Sequence, residues 1–369
     1  MSTQILHLPD LLSLCPKKSG NLISPHFEEA DAGYRNWVEK TIGRYFAIEV
    51  NNAEMPLLAA LAWPLANTKE LRAILSYMTI SFMLEELTDR MSSVKSEKNS
   101  QTWLKVLANP EAGKGSWNPM IRLMSNGMVA SLKDAVDPYH WPDFLSTNTD
   151  FAKCVIREAH DREASKDPNA PRSIDSYMIM RRETIGVRPC LVLMRSTRRL
   201  YLPDHVLKHP VIEEMVNVIL DTCYLANDIY SFKKEMGDNG ALNNIITVIH
   251  RDPGTQHLDV QGRIDYAGKL FETAMLRFRK CREMLPSFDD PVIDRQVAEY
   301  ADGLVDWTVG NIEWSILNHR YNVFDSDEDR EKNIVRLDTR PRTRWWSYLR
   351  LILLCIMVTL ICIRLLEIL

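Results

Sequence analysis

Asn227-Asp228-Ile229-Tyr230-Ser231-Phe232-Lys233-Lys234-Glu235 closes an apolar run that begins near Pro210. The apolar residues of this run recur with helical periodicity, which predicts one long helix over 210–236. Within it, Asn227, Ser231 and Glu235 are spaced i, i+4 and i+8. Each step of four advances only about 40° around a helix, since a turn takes roughly 3.6 residues. An amide oxygen, a hydroxyl and a carboxylate therefore form one row. Three hard oxygen donors in a row suit magnesium, which takes few protein ligands and fills its shell with water or phosphate oxygens.

A partner for this row lies upstream. Glu85-Glu86-Leu87-Thr88-Asp89 follows the apolar stretch Ile80-Ser81-Phe82-Met83-Leu84. On a helix Glu85 and Asp89 share a face, and Glu86 points about 100° further round. Like charges at i, i+4 oppose one another unless a cation neutralises them, and a hard divalent ion prefers such oxygens. Alone, the cluster reads first as a solvated acidic helix end, because acidic clusters are common. The oxygen row on a second helix is what gives it meaning.

Further helices are predicted near 28–48, 68–93, 117–136, 150–164, 173–186, 238–251, 258–286 and 290–320, and strand signals are scarce. Breaks fall at Ala164–Pro171, at Asp252-Pro253-Gly254 and at Asp289-Asp290-Pro291, with a charged loop at Asp325–Lys332. The fold class is all-α: a single bundle of long helices around a central cavity. Motifs for dinucleotide, P-loop, zincin and α/β-hydrolase sites are absent. The net charge of −4 gives no basic field for nucleic acid. Seven cysteines without a CxxC pair speak against a disulfide framework or a zinc site, and for a reducing compartment.

At four places the sequence resembles the class I terpene synthases, in the form found in basidiomycete sesquiterpene synthases. NDIYSFKKE is similar to that family's NDxxSxxxE metal motif, including Lys234 before the glutamate. EELTD sits where the family carries DDxxD or DExxD. Arg181-Arg182-Glu183-Thr184-Ile185-Gly186 resembles the segment bearing its diphosphate-sensing arginine, and Arg320-Tyr321 its C-terminal RY pair. Glu85 departs from the pattern, since the family has aspartate there. The resemblance implies a magnesium-dependent enzyme, with three ions expected, that ionises and cyclises farnesyl diphosphate and releases diphosphate. It implies metal ligation by Glu85, Asp89, Asn227, Ser231 and Glu235. Diphosphate would be gripped by Arg181 or Arg182, Lys234, Arg320 and Tyr321. Arg182 is the favoured sensor, because it lies four residues before Gly186, where a helix could break on ligand binding. Phe82 and Trp314, with Trp307 behind them, are the aromatic lining candidates for a carbocation. The segments 233–240 and 321–333 are lid candidates. A chain-elongating isoprenyl diphosphate synthase would need a second aspartate-rich motif. A non-catalytic membrane-associated homologue would leave the oxygen row without a purpose.

The chain parses as a catalytic domain over 1–335 and a tail over 336–369. In the tail, Arg340, Arg342 and Arg344 precede Trp345-Trp346, and an apolar run from Leu351 to Ile363 is bounded by Arg350 and Arg364. An extra apolar C-terminal helix is expected, able to touch or anchor to a membrane through 345–369, although the run is short of the roughly 20 residues of a spanning helix. The expected setting is cytoplasmic or tail-anchored to an intracellular membrane, as a monomer or homodimer.

Overall fold

The structure is a computed structural model that describes residues 3–18, 23–89, 91–164, 172–238 and 243–338. The chain divides into two units. One is Leu6–Val335; the other is Met1–Ile5 with Arg336–Leu369, of which only residues 3–5 and 336–338 are described. The expected tail helix, with Trp345, Trp346 and the arginines before them, lies outside the described residues. Among the described residues no helix is long and apolar enough to cross a membrane.

The larger unit is built from α1 (Phe27–Ile42), α2 (Met55–Ala62), α3 (Thr68–Asp89), α4 (Ser93–Ala108), α5 (Trp141–Ala164) and α6 (Ile174–Thr184). They are followed by α7 (Val187–Thr197), α8 (Pro210–Asp238), α9 (Ile245–Arg251), α10 (Val260–Glu283) and α11 (Pro291–Leu317), with shorter turns between them. Two short strands, β1 (Thr3–His7) and β2 (Ile334–Asp338), pair with each other.

The central member is α8. Val218, Ile219, Leu220, Leu225 and Ala226 are all fully buried, so apolar side chains cover most of its circumference. A helix apolar all round belongs inside a bundle, and α8 packs against α10 and α11. α11 starts where the sequence sets it: Asp290 accepts from the Val292 and Ile293 N–H groups, and Pro291 stands in the first turn. On its other side α11 meets α2 backbone to backbone, because a Cβ at Gly310 would stand 2.8 Å from the Ala62 nitrogen. Residues 9–18 strap across this layer. Pro9 lies against Gly268, the Arg279 guanidinium donates to the Leu14 carbonyl at 2.6 Å, and Lys18 pairs with Glu313 at 2.6 Å.

Several expected boundaries are corrected. The helix expected over 28–48 is two, because Gly43 at φ 82° ends α1 and a separate helix runs over Arg44–Asn51. The helix expected over 117–136 is broken at Asn126-Gly127, where Gly127 at φ 148° lets the Trp37 indole N–H reach the Asn126 carbonyl at 3.0 Å. The helix expected from 238 begins only at Ile245, where Asn244 caps it. α11 ends at Leu317, which leaves Arg320 and Tyr321 in a turn. The charged loop near 325–332 contains a helical turn, Asp327–Glu331, capped by Ser326. α2, α4 and α7 have no counterpart in the expected set. Neither do the strands, whose pairing joins distant segments through no local turn signal.

Candidate active site

The C-terminal ends of α3, α6 and α8, the middle of α5 and the turn after α11 surround one cavity of about 170 Å³. On α3, Ile80 and Leu84 are fully buried at i, i+4. They hold that face of the helix in the core, while Phe82, Glu85 and Glu86 line the cavity. Asp89 ends the same helix, but its side chain lies outside the described residues.

The oxygen row of α8 faces α3 across this space. Asn227 and Glu235 line the cavity, and Ser231 lies buried between them. The Ser231 hydroxyl donates to Glu235 Oε1 at 2.6 Å, and the Asn244 amide donates to Glu235 Oε2 at 3.1 Å. Burial, and then the nearby charge of Asp228, raises the Glu235 pKa above the ordinary carboxylate range. Glu235 is thus a carboxylate whose charge lacks a full counterpart. Among the described residues no group of three or more His, Cys, Asp or Glu side chains is arranged to hold a metal ion. The row itself supplies one carboxylate, one amide and one hydroxyl, an all-oxygen set that fits a hard cation.

Of the two adjacent arginines, Arg181 faces the cavity. Its Nη2 stands 3.3 Å from Asp228 Oδ1 and 3.4 Å from Asn227 Oδ1. Burial is the largest influence and opposes its charge, but Asp228 together with Tyr177, Glu158 and Glu85 outweighs it, and the guanidinium is held protonated. Asp228, whose own pKa burial raises, also accepts from the Tyr177 hydroxyl at 2.6 Å and the Ile245 N–H at 2.8 Å. Arg182 is the correction. It turns to the other side of α6 and grips the wholly buried Asp221 through two bonds of 2.6 and 2.7 Å. The helix break that favoured Arg182 is already present, since Gly186 at φ 71° separates α6 from α7.

The turn after α11 supplies the opposite wall. Arg320 donates to Glu86 at 2.8 Å and lies 4.3 Å from the centre of the Phe82 ring. Phe82 therefore offers one ring face to a guanidinium. The Tyr321 hydroxyl accepts from the Asn227 amide at 2.7 Å. The Nε groups of Arg181 and Arg320 are buried and find no acceptor among the described residues. Lys234 also lines the cavity. Trp314 does not: its indole N–H donates to the Glu54 carbonyl at 3.0 Å, and its ring packs on Tyr321 at 5.2 Å, one layer back. Trp307 packs edge-on against Trp63 in the core. Of the lid candidates, 233–238 continues α8 as helix, 239–242 lies outside the described residues, and 321–333 holds the turn with Tyr321 and the helical turn at Asp327.

Among the lining residues that went unforeseen are two buried or flanking acids, Asp228 and Glu158. Asp228 had a signal, since a fully buried acid inside an apolar helix demands partners. Glu158 on α5 had none, because it stands among the charged residues Arg157, His160 and Asp161.

A bundle of long helices whose cavity mouth sets acidic helix ends opposite buried arginines has the architecture of a class I terpene synthase. The chain belongs to the terpene synthase family: residues 76–277 match the description of terpene synthase family 2, C-terminal metal binding. It is a terpene cyclase, and divalent metal use goes with that domain. Sesquiterpene synthase Agr1 of Cyclocybe aegerita is 28% identical over 339 residues, covering 91% of this chain and 94% of its own. The Delta(6)-protoilludene synthase of Stereum hirsutum is 28% identical over 321 residues, covering 86% and 83%. The fold is shared with the linalool/nerolidol synthase of Streptomyces clavuligerus, solved in complex with 2-fluorogeranyl diphosphate. There the TM-score is 0.67 and the identity 16%, over 79% of this chain and 99% of that one.

Proposed function

We propose that this cyclase is a magnesium-dependent sesquiterpene synthase that ionises farnesyl diphosphate, closes the resulting cation to a sesquiterpene and releases diphosphate. The observation that carries this reading is that Arg181 from α6 and Arg320 from the turn after α11 both line one cavity, each with a buried Nε that finds no acceptor among the described residues. Buried donors seek acceptors, and a diphosphate supplies them to guanidinium groups in a fork geometry. The charge balance supports the cation. Among the described residues the lining carries five carboxylates (Glu85, Glu86, Glu158, Asp228 and Glu235) against three cations, Arg181, Lys234 and Arg320. A trianionic substrate would be repelled from such a mouth without added positive charge. Farnesyl as the prenyl group follows the named activities of the fungal relatives.

Glu85 and Asp89 from α3, and Asn227, Ser231 and Glu235 from α8, would hold magnesium. Bound there, magnesium supplies Lewis-acid stabilisation of the charge that develops on the leaving group. Arg181, Arg320 and Lys234 would orient the diphosphate and keep it bound after the carbon–oxygen bond breaks. Tyr321, whose hydroxyl oxygen accepts from Asn227, would add its O–H as a further donor. Phe82 would face the allylic end with the ring side that Arg320 leaves uncovered, where an aromatic face stabilises a cation by about 0.5–2 kcal/mol. The reading is tested by incubating the purified chain with farnesyl diphosphate, with and without magnesium, under headspace mass spectrometry. Sesquiterpenes and stoichiometric diphosphate are expected only with magnesium. Longer prenyl diphosphates, or no product at all, would overturn it.

A further inference from the structure

The turn that presents Arg320 and Tyr321 is held from outside the cavity by Glu54. This residue precedes α2 with φ 50° and ψ 33°, a left-handed conformation that non-glycine residues seldom adopt. Such strain persists only where the surroundings over-determine it. Here three bonds do so. Glu54 Oε2 accepts the His319 backbone N–H at 2.7 Å, and Oε1 pairs with His319 Nδ1 at 2.8 Å. The Glu54 carbonyl accepts the Trp314 indole N–H at 3.0 Å. Because an ionised carboxylate only accepts, Nδ1 carries the proton in that pair.

Every one of these partners adjoins the pair that faces the substrate cavity. His319 is the residue before Arg320, and Trp314 packs on the Tyr321 ring at 5.2 Å. Asn318 Oδ1 accepts the Tyr321 N–H at 2.8 Å, which closes the turn from the inside. The other end of the linkage is rigid, since α2 meets α11 at Gly310 with no room for a side chain. We propose that Glu54 is a positioning residue for the cyclisation reaction: it fixes the 318–321 turn so that Arg320 and Tyr321 reach the diphosphate. An exposed ion pair alone would count for little. The charged acceptor on a backbone N–H, together with the indole bond, sets the position of a chain segment instead. The inference rests on the diphosphate-binding role proposed above for Arg320.

The test uses the full chain and compares Glu54→Gly, Glu54→Gln, Trp314→Phe, Arg320→Met and the double variant Glu54→Gly/Arg320→Met. Turnover of farnesyl diphosphate and melting temperature are measured for each. Glycine adopts the left-handed conformation freely, so Glu54→Gly removes the hook while relieving strain. Its melting temperature is expected to hold or rise while kcat/KM falls by about 10- to 100-fold, the size of loss that follows a misplacement of roughly 1 Å. Glu54→Gln keeps an acceptor for the His319 N–H and should retain most activity. Trp314→Phe keeps the ring on Tyr321 but deletes the N–H, and should lose activity in the same direction. The double variant should be less impaired than the product of the two single losses, because residues acting through one another are not additive. Wild-type turnover in Glu54→Gly, or losses that multiply in the double variant, would overturn the inference while leaving the role of Arg320 intact. Wild-type turnover in Arg320→Met would remove both.

Discussion

Glu235 is bonded through both oxygens, yet its charge remains costly. Burial and the neighbouring Asp228 raise its pKa, so in the folded chain the neutral form persists to a higher pH than in the unfolded one. The ionised form therefore lowers the stability of the metal-free protein as pH rises from the ordinary carboxylate value through the raised one. A bound cation favours the ionised form. The expected outcome is that the rise in melting temperature on adding magnesium grows as pH rises from the ordinary carboxylate value through the raised one. Thermal scans across that range with and without magnesium check this, and Glu235→Ala should flatten the dependence and abolish product formation. The two adjacent arginines should separate just as clearly. Arg181→Met is expected to lose on the order of 100-fold or more in kcat, the scale of an electrostatic clamp on a leaving group. Arg182→Met leaves the buried Asp221 with Arg277, at 3.4 Å, as its remaining ion-pair partner among the described residues, so its principal effect should be a lower melting temperature. Steady-state kinetics beside thermal scans of both variants decide it.

α6 and α7 meet at a glycine that two neighbours crowd. A Cβ at Gly186 would stand 3.3 Å from Glu85 Oε1 and 3.2 Å from Phe151, on a backbone at φ 71°. Gly186→Ala should therefore lower the melting temperature by a few degrees, since alanine at positive φ costs about 1 kcal/mol. It should also reduce turnover by displacing the Glu85 carboxylate. Adding Glu85→Asp shortens the acid away from the new methyl group, and is expected to recover part of the turnover but none of the backbone cost. Comparing the single and double variants checks both parts. The same junction shows what a sequence discloses and what it withholds. The period of α8, the cap at Asp290 and the oxygen row are written in consecutive residues, because helix faces repeat locally. The choice between Arg181 and Arg182 is not, because it depends on the azimuth of α6. That azimuth is set by Asp221 from α8, 39 residues away along the chain. Helix breaks at Gly43 and at Asn126-Gly127 were hidden likewise, since an isolated glycine in a helical pattern is as often tolerated as broken.

For the chain as a whole, the segment after Asp338 carries the open proposal of membrane contact through 345–369. A fluorescently tagged full chain should redistribute from intracellular membranes to the bulk cytosol when residues 340–369 are removed. An unchanged distribution would dismiss the anchor. At the opposite end, the Gln261 side chain clasps the backbone of His7 from both sides, donating to its carbonyl at 2.9 Å and accepting its N–H at 2.8 Å. These partners are 254 positions apart. During synthesis His7 must wait for Gln261, made 254 positions later, before it finds its seat. At roughly 5–20 residues per second that interval is on the order of ten to fifty seconds. Closing so wide a loop adds little to its entropic cost beyond a certain length, but it delays the moment of docking. The segment around His7 therefore stays exposed to proteases and chaperones while the helices that will receive it are still being threaded out of the ribosome.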